Sequence, residues 1–89
     1  MTTPPINPRI RAVLFEVLDN QLRDNDPPET KETLDRLLGQ GIEQDEARRL
    51  IACVIADEVF MILKKNATFD EKLFARKLSM LPEMPWKDE

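Results

Sequence analysis

The sequence predicts an all-α fold, a small four-helix up-and-down bundle with a long, central, apolar third helix. Three observations predict it. Apolar residues recur at helical spacing in four separate stretches. Prolines and capping residues open those stretches, and glycine, asparagine or proline closes most of them. No stretch alternates with the period of two that a strand requires. The 89 residues make a single domain over 1–89, with room for one modest core, and 1–7 and 82–89 read as irregular tails. The connections are short, so successive helices should pack as antiparallel neighbours.

The first helix is expected over 8–23. Asn7 caps it, and Pro8 suits the first helical position, where no amide donor is needed. Ile10, Val13, Leu14, Val17 and Leu18 then fall on one face. The second helix is expected over 27–40, with Asp26 as cap, Pro27 at the first position and Glu29 completing a capping box. Leu34, Leu37 and Leu38 form its apolar side. The rest of this helix is polar, which puts it at the surface. Gly41 fits the left-handed residue that closes a helix, and Ile42 should fold back onto Leu37.

The third helix is expected over 44–65. Glu43 is a poor cap, but Asp45 and Glu46 complement the helix dipole at one end, as Lys64 and Lys65 do at the other. Asn66 suits a left-handed C-terminal cap. The fourth helix is expected over 69–81, opened by a capping box of Thr68 and Glu71 and stopped by Pro82. Leu73, Phe74, Leu78 and Leu81 carry its apolar face, and Trp86 is the one large anchor in the tail. The expected core is Ile10, Val13, Leu14, Val17, Leu34, Leu37, Leu38, Ile51, Val54, Ile55, Ile62, Phe74 and Leu78.

Composition excludes several function classes. The net charge is −4 and no basic stripe appears, which argues against a nucleic-acid partner. The chain has no histidine and one cysteine, so a metal centre or a nucleophilic triad has almost nothing to be built from. Its two glycines, Gly39 and Gly41, form no phosphate-cradling loop. No catalytic residue, cofactor or metal is therefore expected. Cys53 lies in an apolar run and reads as a small hydrophobe. The longest apolar run is broken by acids, and the N-terminus carries no signal-peptide pattern. A cytoplasmic chain with no membrane span is the expectation.

The run "LIACVIADEVFMIL" nevertheless holds two acids, Asp57 and Glu58. Successive residues of a helix are about 100° apart, so Glu58 points into the stripe of Ile51, Val54, Ile55 and Ile62. Asp57 lies at the stripe's edge, within reach of Lys64 or solvent. A carboxylate in an apolar setting needs a partner. The first helix offers Gln21, at the centre of its apolar face, and Arg11, at the edge. Glu58, Gln21 and Arg11 are thus the candidate buried polar cluster, fixing helix register. The alternatives are a functional site around Glu58 and a Glu58 left in solvent at the bundle's end.

The succession "VLFEVLDNQL", "NDPPETKETLDRLLGQG", "DEARRLIACVIADEVFMILK" and "FDEKLFARKLSMLP" resembles a family of small bacterial helical proteins grouped only as a domain of unknown function. The resemblance covers roughly Pro8 to Leu81. It rests on Asn20, Gln21 and Leu22, on Asp26, Pro27, Pro28 and Glu29, and on Ala56, Asp57 and Glu58. It implies metal-ligand histidines at positions occupied here by Arg11, Phe15 and Arg49, so the site would be lost in this chain. Gln21 and Glu58 are the matching residues that remain, with Arg11 neutralising Glu58.

The function this predicts is a non-catalytic protein-interaction module. The alternative is a divergent metal- or small-ligand-binding helical protein without its histidine ligands. A protein partner is expected, a second copy of the chain among them. Ala52, Cys53, Ala56, Val59, Phe60 and Leu63 leave an apolar face on the third helix that the other helices need not cover.

Overall fold

The computed structural model describes residues 8–66 and 68–83. Four helices follow in chain order: α1 Pro8–Asp24, α2 Pro28–Gly39, α3 Gln44–Lys65 and α4 Glu71–Met80. No strand occurs among the described residues. The all-α four-helix bundle is thereby established. Residues 1–7 and 84–89, and with them the expected Asn7 cap and the Trp86 anchor, lie outside the described residues.

The helices do not form a square. α2 and α3 pack together, and α1 and α4 each lie against both of them without touching one another. The side-chain pairs give the directions. On α1, Asp19 accepts a 2.7 Å bond from Arg48 near the start of α3. On α4, Lys77 pairs with Asp57 in the second half of α3. Arg36 on α2 reaches Leu78 and Leu81 at the end of α4. Chain direction thus alternates up and down, with α1 parallel to α3 and α2 parallel to α4.

The core is Leu14, Leu18, Leu37, Ala47, Leu50, Ile51, Val54, Ile55, Phe74, Leu78 and Leu81. Six residues expected there are not in it, three of them exposed and three half-buried. Ile10 and Val13 are more than half exposed, and Leu38 is 39% exposed. The α1 stripe that turns inward is Leu14, Leu18 and Leu22 with Phe15. Val13 stands on its outer edge. Ile10 lies in the first turn, before the level at which Phe15 and Asp19 meet Arg48. Val17, Leu34 and Ile62 are half-buried.

The helix ends show where local chemistry decides. α2 closes as expected. Gly41 has φ +89°, Ile42 N donates to Leu37 O at 3.1 Å, and Gly41 N donates to Leu38 O at 3.0 Å, which is the Schellman pattern. Asn66 takes the left-handed conformation at the end of α3, φ 52°. The two capping boxes do not form. Pro27, not Asp26, occupies the N-cap of α2, and Pro28 follows as the first helical residue, so Asp26 is one position out of register. At α4 the cap is Asp70, which accepts from Leu73 N at 3.1 Å. Asp70 stands directly before the first helical residue, and aspartate caps at least as well as threonine.

Arg36 serves as the cap at the other end of α4. Its guanidinium donates 2.9 Å bonds to Leu81 O and to Leu78 O, which also accepts from Leu81 N at 3.1 Å, where the ending helix leaves carbonyls short of donors. Arg36→Ala should therefore cost about 1.5–3 kcal/mol, the range for hydrogen bonds to a charged group. Chemical denaturation would check it. A loss under about 0.5 kcal/mol would place those carbonyls in adequate contact with water.

Candidate functional site

The candidate site lies along α3, the longest of the four helices. α3 has 22 residues against 17, 12 and 10 in its neighbours. Arg48, near the start of α3, meets Asp19 and Phe15 of α1, and α2 packs on α3 as well. The first half of α3 is consequently enclosed, with Ala47, Leu50, Ile51, Ala52, Val54 and Ile55 all buried. The second half is accompanied by α4, and Val59, Phe60 and Leu63 are 40, 56 and 78% exposed.

Glu58 stands where enclosure ends. It is 5% exposed, as its place in the apolar stripe predicts. Its neighbours differ from those the sequence suggested. Arg11 sits over the Phe15 ring, 5.6 Å from its centroid, and Arg48 sits over the same ring at 5.5 Å. Glu58 is ten residues, about 15 Å, farther along α3 than Arg48, so Arg11 cannot reach it. Gln21 is engaged elsewhere, with its Oε1 accepting a 2.8 Å bond from the hydroxyl of the fully buried Thr30. That bond ties the end of α1 to the start of α2. The Glu58–Gln21–Arg11 cluster is thus replaced by three separate arrangements.

The cation near Glu58 is Lys77 of α4. Its ammonium forms an ion pair with Asp57 and lies 3.9 Å from Glu58 Oε1, beyond hydrogen-bond distance. Asp57 therefore pairs across to α4 and not along its own helix to Lys64, which lies over the Phe60 ring. Among the described residues nothing donates a hydrogen bond to Glu58 Oε1, a fully buried atom. The sequence carried a signal for Lys77. It stands three residues after Phe74 and four before Leu81, inside the apolar face of α4.

Beside Glu58 a groove of about 430 Å³ opens between the end of α3 and the start of α4, lined by Glu58, Met61, Ile62, Thr68, Phe69, Asp70, Glu71 and Leu73. A second hollow of about 420 Å³ adjoins it, sharing Phe69 and Glu71 and adding Gln21, Asp26 and Pro27. The two make one recess across the top of the bundle. Phe69 divides them and packs against the buried Phe74, ring centroids 5.5 Å apart.

The remaining sequence candidates lie elsewhere. Arg49 bonds Glu46 on its own helix at 2.6 and 3.0 Å, which holds the Glu46 carboxyl below its ordinary value and raises the guanidinium. Burial pushes the Cys53 thiol up, against a smaller lowering by Arg49, which leaves it a weak nucleophile at neutral pH. Arg11 and Phe15 share one stack, but Arg49 is not in it, so the three positions named by the family resemblance do not converge. No group of three or more His, Cys, Asp or Glu positioned to hold a metal occurs among the described residues. No helix among them is long and apolar enough to cross a membrane. No family model matches the chain, and neither a curated protein nor a solved structure matches it.

Proposed function

We propose that this chain is a small non-catalytic protein-interaction module of the cytoplasm, binding through the second half of α3 and the start of α4. The observation that supports it is the exposed apolar surface there: Val59, Phe60 and Leu63 on one side of α3, Phe69 and Leu73 on the side of α4. Apolar residues gathered at this scale mark partner surfaces. Val59, Phe60 and Leu63 lie on the face of α3 away from Glu58, and a second copy of the chain is the partner proposed for that face. The lone, half-buried cysteine suits a reducing compartment.

Native mass spectrometry of the purified protein tests the reading. The expected spectrum is a dimer carrying no bound species, shifting to monomer in Leu63→Glu. A metal ion or small molecule bound in stoichiometric amount would overturn it in favour of a divergent ligand-binding protein. A monomer at every concentration would remove the second copy as a partner.

A further inference from the structure

We infer that the recess between the start of α4, the end of α3 and the α1–α2 turn takes a basic amphipathic helix of a partner protein. The inference rests on the interaction-module reading and names the chemistry of the partner. The walls of the recess are apolar in part, from Pro27, Met61, Ile62, Phe69 and Leu73 beside Gln21 and Thr68, and among the described residues its charges are all acidic: Asp26, Glu58, Asp70 and Glu71. No lysine or arginine lines it among the described residues. Acids grouped on a surface are usually just solvated, but Glu58 is not. It is buried, it lines the groove, and its Oε1 receives no hydrogen bond. The nearest ammonium, on Lys77, is shared: it is bonded to Asp57 and stands 3.9 Å from Glu58 Oε1. One ammonium therefore offsets two carboxylates, and a further cation at the groove adds to that offset through its charge.

The shape selects a helix. The groove runs between two antiparallel helices, and no sheet edge exists among the described residues to receive an extended peptide. A helix lays residues at i, i+3, i+4 and i+7 into such a groove, while lysines or arginines on its flanks meet the acidic rim. Opposite charges across the rim steer the encounter and reject acidic competitors. A lone metal ion does not fit, since the acids of the recess do not gather into a ligand set.

The test titrates isotope-labelled protein with two synthetic helical peptides, identical in their leucine face, one with lysines on its flanks and one with glutamates. The lysine peptide should shift the amide signals of Met61, Ile62, Phe69, Glu71 and Leu73, and the glutamate peptide should bind at least about tenfold more weakly. Glu71→Lys, at an exposed position of α4, should weaken the lysine peptide by about tenfold while the circular dichroism stays unchanged. Leu73→Lys should do the same through the apolar wall. Equal binding of the two peptides, signals moving at Phe60 and Leu63 instead, or no effect of either substitution would overturn the inference. So would the absence of any binding. In that case a dimer that Leu63→Glu dissociates would still leave the interaction-module reading standing.

Discussion

Replacing Phe74 with alanine should cost about 3–5 kcal/mol, the range for truncating a buried phenylalanine. The residue is 1% exposed and is the largest side chain in the core. It also carries the packing of Phe69, so its loss leaves a void and releases the segment that opens α4. In a domain of this size each kcal/mol moves the melting midpoint by about 4–8 °C, so a drop of more than about 10 °C is expected. A thermal melt followed by circular dichroism reads it. A shift of only a few degrees would mean that α4 is not part of the cooperative core. The first half of α3 would then rest on α1 and α2 alone.

The second large effect concerns Lys77. Its ammonium is, among the described residues, the cation beside two adjacent carboxylates, with side-chain exposures of 15% for Lys77, 27% for Asp57 and 7% for Glu58. Lys77→Met keeps the hydrocarbon stem and removes the charge. Breaking a fully buried pair from one side costs about 3–5 kcal/mol, and the water that reaches Asp57 reduces this to about 2–3 kcal/mol. Adding Asp57→Asn and Glu58→Gln to Lys77→Met should return at least about 1 kcal/mol, because no uncompensated charge then remains. Denaturant melts of the single, double and triple variants give the coupling directly. Strict additivity would show that the carboxylates are solvated independently of Lys77.

Much of this architecture is legible in the residues. The third helix can be read to its last residue because Asn66 and the charged doublets mark its ends, and the Gly41–Ile42 turn because only a left-handed residue closes α2 that way. The burial of Glu58 follows from periodicity alone. Its partner does not. Periodicity fixes which way a side chain points from its own helix, but not how far one helix slides along another. The offset that sets Asp19 against Arg48 moves Arg11 out of reach of Glu58 and brings Lys77 in. The same offset leaves Ile10 and Val13 in water although their spacing suits a core. The misplaced caps have a more local cause. Asp26-Pro27-Pro28 and Thr68-Phe69-Asp70 each offer more than one starting register, and a helix uses the cap that meets its first buried turn.

The length of α3 has an evolutionary consequence. Residues 47–55 are enclosed by three other helices, where a methyl group gained or lost is felt by every neighbour. Val59, Phe60 and Leu63 face solvent, so their volume is far less constrained and their surface chemistry matters more. One continuous helix therefore lives under two regimes of selection, the first conserving shape and the second free to follow a changing partner. The boundary between them falls at Asp57 and Glu58, where Lys77 fastens α4 to the helix. Binding specificity can drift beyond that point at little risk to the fold.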